Sequence, residues 1–193
     1  MQSKTAFVLL GLLKEKPMNP YEIIKILDRL NISQWSPISA SSVYMTIRTL
    51  EKKGYITGKK EKNSAMPEKT IYSITPTGKS AFIKTLKDNM LEDITNIVSF
   101  NLSTLFICHL QRSDVIKILK ERAVLIREND EATERAYHQY KKQSIPEYLL
   151  ISLKHNMTFF KAELITVELM IEEVEKASDW NHYLTAEIDR TLK

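Results

Sequence analysis

The sequence predicts a mostly α-helical protein that contains one small β-hairpin, and three observations support this fold class. Apolar residues recur at helical spacing over most of the chain. Two short runs, residues 55–61 and 69–74, alternate apolar and polar side chains as half-buried strands do. Beyond residue 80 the pattern is helical, with no further strand signal. We therefore expect two domains, residues 1–85 with the hairpin and residues 86–193 built from helices alone.

The ends of the first two helices are marked in the sequence. Residues 4–15 carry apolar side chains at helical spacing and form the first predicted helix. A second helix is predicted to begin at Asn19, Pro20 and Glu22. These residues supply a capping side chain, a proline at the first helical position and an acid that reaches back to the cap. Its apolar stripe is predicted to end near Asn31.

The third predicted helix has a buried stripe and an outward face of different composition. Ser39 is its predicted N-cap, Gly54 its stop, and the stripe is Val43, Ile47 and Leu50. The outward face combines hydroxyl, aromatic and basic side chains: Ser41, Ser42, Tyr44, Met45, Arg48, Thr49 and Lys52. Hydroxyls and free N–H groups at a helix N-terminus favour phosphate, and an arginine can read a base edge. A solvated helix can have the same composition, so this face alone does not decide the function.

Lysines surround the tip of the predicted hairpin, namely Lys59, Lys60, Lys62 and Lys69. Such a wing can follow a DNA backbone, although lysines also protect an edge strand from aggregation. Residues 1–79 contain 13 Lys/Arg and 6 Asp/Glu, whereas residues 80–193 contain 15 and 18. A basic first part is expected to meet a polyanion. Together the helix, the hairpin and the charge predict a winged helix-turn-helix that binds double-stranded DNA through Ser39, Ser41, Ser42, Tyr44, Met45, Arg48, Thr49, Lys52, Lys59, Lys60, Lys62 and Lys69.

The second domain is predicted to be an antiparallel, coiled-coil-like helical pair that serves dimerisation. Long helices are expected over residues 113–142 and 145–176, after shorter ones that end near residues 89 and 109 and before a tail helix at 180–191. One stripe repeats every three and four residues: Leu153, Met157, Phe160, Leu164, Val167, Ile171 and Val174. Periodicity leaves open whether this seam closes within one chain or on a second subunit. The length of the helices favours a homodimer.

Several classes of chemistry find no support in the sequence. The four glycines form no phosphate-binding loop, the four histidines have no metal-ligand spacing, and no nucleophile–base or paired-carboxylate pattern is visible. Cys108 and His109 are neighbours in a predicted helix, where adjacent side chains diverge, so Cys108 is interpreted as a packing residue. We therefore predict no enzyme, no cofactor and no metal. One cysteine and no apolar run of roughly 18 residues indicate a cytoplasmic protein without a membrane span.

Two tryptophans allow two interpretations. Trp35 and Trp180 either flank an apolar effector pocket near the dimer interface or serve as packing anchors, and packing is the favoured interpretation. A small aromatic or apolar effector therefore remains a possible partner.

The residues resemble the PadR family of bacterial transcriptional regulators. The resemblance is carried over residues 5–85 by residues 9–13, 20–23, 35–37, 43–44, 47–48, 50–51, 54–56, 72–75 and 78–79. It implies a dimeric winged-helix regulator, most often a repressor released by a small molecule such as a phenolic acid or a drug. The helical remainder resembles the C-terminal dimerisation domain of the longer, AphA-like members. By position, Tyr44, Arg48 and the wing lysines would contact DNA.

The sequence departs from the family pattern at the residues that would read DNA. Asn19-Pro20 replaces a usual glycine, Ala40-Ser41-Ser42 replaces a proline–glycine–threonine, and Met45 replaces a proline. The glycine-rich wing is replaced by residues 63–69. The operator sequence is therefore not transferable. A winged helix that binds a protein instead of DNA is the alternative, and the sequence identifies neither the effector nor the regulated genes.

Overall fold

The computed structural model of the protein describes residues 3–32, 36–61, 69–91, 94–178, 180 and 183–193. Within these ranges lie the helices α1 Lys4–Glu15, α2 Pro20–Arg29, α3 Ala40–Lys52, α4 Pro76–Leu91, α5 Ile97–Thr104, α6 Arg112–Lys142, α7 Glu147–Lys176 and α8 Tyr183–Leu192. Strands β1 Ile56–Glu61 and β2 Lys69–Ile74 form an antiparallel hairpin. The fold class predicted from the sequence is confirmed. Among the described helices, none is both long and apolar enough to cross a bilayer.

One predicted helix is interrupted. A helix was expected over residues 93–109, but α5 covers only Ile97–Thr104, and a separate 3-10 helix covers Ile107–His109. The side chain of Asn96 accepts a hydrogen bond from the backbone N–H of Ser99 at 3.2 Å, so Asn96 caps α5 and fixes its start. The Cys-His pair therefore lies in a 3-10 turn, and the prediction that it continues an α-helix was wrong.

Other boundaries shift by one to three residues. The second long helix begins at Glu147, with Pro146 at its N-cap, rather than at residue 145. The tail helix spans Tyr183–Leu192 instead of residues 180–191. Helix α2 ends at Arg29, and α1 and β2 have the predicted bounds.

Packing divides the chain into two compact units that alternate along the sequence. The first unit contains residues 1–89, 96–109 and 181–193, and the second contains residues 90–95 and 110–180. These packing units and the consecutive domains predicted at residues 1–85 and 86–193 are different divisions of the chain. The division into a DNA-binding domain at residues 1–85 and a dimerisation domain at residues 86–193 stays a prediction.

Helix α1 forms the centre of the first unit. Its residues from Ala6 to Leu13 are all buried, because α3, β2 and α5 pack against it. The Phe7 and Phe82 rings stack with their centroids 5.3 Å apart. The Phe106 ring is edge-on to both, and its centroid lies 5.6 Å from each of theirs. A Cβ on Gly11 would lie 2.5 Å from the Phe106 ring, so glycine permits this close packing.

The hairpin is attached to the rest of the first unit through both of its strands. Gly54 adopts φ +70° after α3 and lets the chain turn into the strand. The register pairs Ile56 with Ile74 and continues to Glu61 and Lys69. Backbone hydrogen bonds in both directions also join Met18 to Tyr72, at 3.2 and 3.0 Å. The segment before α2 thus lies beside the hairpin.

The second unit consists mainly of α6 and α7, which run antiparallel. Ion pairs join Lys120 to Glu175 at 3.7 Å and Arg127 to Glu168 at 2.7 Å. The residue numbers increase along α6 while those of the partners decrease along α7, as in an antiparallel pair. The predicted antiparallel pair therefore closes within one chain.

A buried ion pair lies between these two helices. Arg122 is fully buried and donates to Glu163 Oε2 at 3.2 Å. The same guanidinium donates to the backbone oxygens of Met90 at 3.2 Å and Ile94 at 3.4 Å. The guanidinium thereby holds the segment before α5 against the helical pair.

Replacing Glu163 with leucine should destabilise the protein by about 3–5 kcal/mol, because it leaves a buried guanidinium without its carboxylate. Glu168→Leu is a matched control, since Glu168 also pairs with an arginine of α6 but is half exposed. It should change stability by less than about 1 kcal/mol. Urea denaturation followed by circular dichroism measures both. Equal effects of the two substitutions would show that the buried pair has no special role.

Candidate nucleic-acid interface

Helix α3 presents the outward face that the sequence predicted. Val43, Ile47 and Leu50 are at most 2% exposed, which confirms the buried stripe. Tyr44 is 48% and Met45 69% exposed, large fractions for apolar side chains. Ser39, Ser41, Arg48, Thr49 and Lys52 are also exposed, whereas Ser42 is half-buried. The predicted contact residues on this helix therefore form one accessible ridge.

The serines at the start of α3 are engaged with one another. The Ser39 hydroxyl accepts a hydrogen bond from the Ser42 backbone N–H at 3.2 Å, and the Ser42 hydroxyl donates to the Ser39 backbone oxygen at 2.7 Å. The Ser39 and Ser41 hydroxyls lie 2.9 Å apart. Two of these hydroxyls thus fix the helix N-terminus. Contacts to a ligand would have to come mainly from Ser41 and from the backbone.

A cleft of about 640 Å³ lies on one side of this ridge. Three elements line it: the start of α2, one side of α3 and strand β2. The lining residues are Asn19, Pro20, Tyr21, Tyr44, Ile47, Arg48, Lys69, Thr70 and Tyr72. The structure therefore brings together three of the predicted residues, Tyr44, Arg48 and Lys69.

Polar groups at the edge of this cleft influence one another. The backbone N–H of Gly58 donates to Glu51 Oε1 at 3.2 Å, which ties β1 to α3. A Cβ on Gly58 would lie 2.9 Å from the Tyr72 ring, so the strands pack closely here. Burial and the Glu51 carboxylate raise the pKa of Tyr72, and Arg48 partly opposes them. Tyr72 therefore stays a neutral phenol at physiological pH.

A second, smaller cleft of about 330 Å³ lies on the other side of α3. It is lined by Ser3, Ala6, Met45, Thr46, Thr49, Leu50, Lys53 and Tyr55. Ser3 is the N-cap of α1, and no acidic side chain is present in the first turn of that helix. The partial positive charge of a helix N-terminus is therefore not offset there by a neighbouring carboxylate.

The wing lysines do not all face α3. Lys59 and Lys60 are exposed neighbours on β1, and successive strand side chains point to opposite faces. Lys60 pairs with Thr70, which lines the larger cleft, and shares the face of Gly58. Lys59 pairs with Ile71 and lies on the other face. Lys62 lies outside the described residues.

The predicted dimerisation seam is packed within a single chain. Phe160, Val167 and Val174 are buried, and the remaining four, Leu153, Met157, Leu164 and Ile171, are half-buried. The role of these residues in dimerisation stays a prediction.

The two tryptophans differ in what the structure describes. Trp180 is half-buried and donates from Nε1 to the Leu110 backbone oxygen at 2.9 Å, while the Arg112 guanidinium lies 5.7 Å from its ring centre. These contacts agree with a packing anchor. Trp35 lies outside the described residues, so the effector pocket suggested for the pair stays a prediction.

Sequence reasoning missed Tyr21 and Tyr72, which line the larger cleft. Tyr21 is 71% exposed at the first turn of α2 and lines the larger cleft beside Tyr44. A large exposed aromatic directly after a helix cap was the available signal. Tyr72 gave no such signal, because the strand pattern does not reveal which helix its ring faces.

Several solved structures are similar to this chain. No curated protein matches the chain. Among solved structures, Bacillus subtilis PadR in complex with operator DNA is 20% identical and covers 88% of this chain and 98% of its own, with a TM-score of 0.40. The protein smu.1604c of Streptococcus mutans UA159 is 25% identical, with coverages of 89% and 99% and a TM-score of 0.41. The PadR-like transcriptional regulator BC1756 of Bacillus cereus is 23% identical, with coverages of 90% and 97% and a TM-score of 0.40.

Residues 9–84 match the PadR-like family of transcriptional regulators. This range contains α2, α3, the hairpin and most of the residues that line both clefts. The members of the family are regulators of transcription rather than enzymes. Through these residues, the chain is similar to the PadR-like family of transcriptional regulators.

Proposed function

We propose that the protein is a homodimeric transcriptional regulator that binds a pseudo-palindromic operator with helix α3 in the major groove. The observation that carries this proposal is the ridge of α3 between two clefts, each of which is lined by the start of another helix. The larger cleft includes the N-terminus of α2 and the smaller cleft the N-terminus of α1.

This arrangement suits the shape of DNA. A major groove is about 12 Å wide and admits one helix, with a phosphate backbone on either side. Helix N-termini bind phosphate through free N–H groups and the helix dipole. With α3 in the groove, the two clefts would each receive one backbone. The start of α2 is partly neutralised by Glu22, which accepts from the Asn19 N–H at 2.7 Å, so Arg48 and Lys69 would supply most of the positive charge there.

Affinity and specificity would come from different residues. Phosphate contacts by Lys60, Lys69 and the helix N-termini would supply affinity that does not depend on sequence. Base contacts would come from the exposed ridge, chiefly Arg48, Tyr44 and Met45. Met45 and the serines at the start of α3 are the residues that depart from the family pattern. They would therefore give this protein an operator preference of its own.

We propose that a second copy of the chain covers the outward face of α7. The inner face already packs against α6, but every residue of a second stripe on the opposite side is exposed, and this stripe repeats every three and four residues. It comprises Tyr148, Ile151, His155, Thr158, Ala162, Ile165 and Leu169. Four of these are 55–75% exposed large apolar side chains, an unusual stripe for a helix that only faces solvent. A dimer would set the two α3 helices about 34–36 Å apart, the spacing of successive major grooves.

Repression relieved by a small aromatic or apolar effector is the regulation that we propose, as the family resemblance suggests. One solved relative, Bacillus subtilis PadR, is known in complex with p-coumaric acid. An effector would act by binding one dimer arrangement more tightly than the other and so changing the separation of the α3 helices. We propose Trp35 and Trp180 as the residues that flank the effector pocket. We also propose that the protein is cytoplasmic.

A winged helix that binds a protein is the second candidate, because the large exposed apolar side chains of Tyr21, Tyr44 and Met45 also suit a protein surface. A gel shift with the DNA upstream of the protein's own gene, followed by footprinting, separates the two functions. A protected site with two related halves supports the regulator. Uniform weak binding, equal to that of a random duplex, would favour the protein-binding function.

Arg48→Ala should weaken operator binding by about 1–3 kcal/mol, because it removes a bidentate contact to a base. The loss should be smaller on a random duplex of the same length, since phosphate contacts remain. Fluorescence anisotropy at one fixed salt concentration measures both. Lys117→Ala on α6 is the control for total charge. An equal loss on both duplexes would assign Arg48 to the backbone.

Lys60→Ala should reduce the slope of log K against log salt by about one unit, as expected when one phosphate contact is lost. Lys59→Ala is the matched control, because it removes the same charge from the opposite face of β1. Its slope should stay close to that of the unchanged protein. Identical slopes for both variants would show that the face of the wing does not matter.

Ile151→Glu and Ile165→Glu should each convert the dimer to a monomer, because they place charges in the proposed interface. Analytical ultracentrifugation should give twice the 22.4 kDa of one chain for the unchanged protein and 22.4 kDa for the variants. Leu149→Glu is the control, since Leu149 is 56% exposed but lies off the stripe. A monomer at all concentrations, or dissociation by all three substitutions, would rule out this interface.

A further inference from the structure

Three side chains with metal-binding groups meet in the first unit, away from the clefts beside α3. They are Glu15 at the last position of α1 and Cys108 and His109 in the 3-10 turn. One ligand atom from each lies within 4.8 Å of the others. Sequence spacing could not indicate this group, because more than ninety residues separate the glutamate from the other two.

The site is largely shielded from solvent. The side chains of Glu15 and His109 are only 7% and 11% exposed, and Cys108 is half-buried. The His109 ring is held between aromatic rings, edge-on to Phe82 at 5.6 Å and stacked on Phe106 at 6.3 Å. The imidazole therefore has a fixed orientation, as a metal ligand requires.

Two buried atoms in this group lack a normal hydrogen bond. Glu15 Oε1 and His109 Nε2 lie 2.8 Å apart, yet in the described structure neither forms a hydrogen bond of acceptable geometry with any group. The two atoms face each other as an ion pair, so a metal ion that accepts a lone pair from each could lie beside both. The other carboxylate oxygen accepts from the Thr185 hydroxyl, which positions Glu15 and leaves Oε1 directed at the histidine.

We propose that Glu15, Cys108 and His109 form a binding site for a thiophilic divalent metal ion of the zinc class. A carboxylate oxygen, a thiolate and an imidazole are a donor set that zinc accepts, and three protein ligands leave a fourth position for water. Tetrahedral bonds of zinc-like length place ligand atoms about 3.3–3.6 Å apart. The three groups reach this spacing with shifts on the order of 1 Å.

Lys14 opposes metal binding at this site. Its Nζ lies 3.3 Å from His109 Nδ1, where the ammonium can donate to that nitrogen. A metal on Nε2 favours a proton on Nδ1, so Lys14 must withdraw when the ion binds. The Cys108 side chain must also lose its proton, because the thiolate is the form that binds a metal ion. Metal affinity should therefore increase with pH.

Cobalt(II) provides a direct test, because a cobalt–thiolate bond produces a charge-transfer absorption band. Cys108 is the only cysteine in the chain, so any such band must come from it. Full-length protein without an affinity tag, treated with a chelator and then titrated with Co²⁺, should develop the band at one equivalent. Zinc should then abolish it. No band at a stoichiometric concentration of cobalt would overturn the proposal.

Substitutions assign the ligands. Cys108→Ser should eliminate the band, and Glu15→Gln and His109→Asn should each weaken zinc binding by more than about 100-fold, since even loss of an outer partner weakens it 10–100-fold. His155→Asn, which removes an exposed histidine, should have no effect. Lys14→Gln should tighten binding.

Two results would contradict this assignment. A band that survives Glu15→Gln and His109→Asn at half an equivalent of metal would indicate a cysteine shared between two chains. Unchanged zinc affinity in Cys108→Ser would place any bound metal elsewhere. Circular dichroism of each variant checks that the fold is retained, so that weaker binding is not attributed to unfolding.

Discussion

The complete burial of α1 is the constraint on which the first unit depends. Eight consecutive residues of this helix are inaccessible, so it must be covered on every side rather than along one stripe. Helix α3, strand β2 and helix α5 provide that cover. The position of the α3 ridge is therefore set by the apolar packing behind it. Its outward side chains are free to change with the ligand, because they contribute little to that packing.

Local signals predicted most of the first unit correctly. The capping box at Asn19 and Glu22, the N-cap at Ser39 and the stop at Gly54 appear as expected, because each depends on neighbours within a few residues. The ridge of α3 followed from periodicity for the same reason. The clefts could not be predicted, since they depend on how α2, α3 and β2 meet in space.

The errors have physical causes as well. A periodic pattern does not distinguish a continuous helix from α5 followed by a 3-10 turn, and that break brings Cys108 and His109 to Glu15. The pairing of α6 with α7 was predicted, but Arg122 and Glu163 occupy positions that an apolar stripe would leave to leucine or valine. Sequence patterns treat charged residues as solvated, so they overlook a charge that is buried with its partner.

The return of α8 to the first unit has a consequence for the order of folding. Helix α8 packs on α2, Lys16 forms an ion pair with Asp189, and Thr185 bonds to Glu15. A ribosome releases α1 to α3 early, but these contacts form only after α8 has been synthesised. The first unit, which carries the α3 ridge, is therefore among the last parts of the chain to be completed. A chain that stops short of α8 would leave exposed the surface of α2 that α8 covers, and exposed apolar surface makes an incomplete chain prone to aggregation.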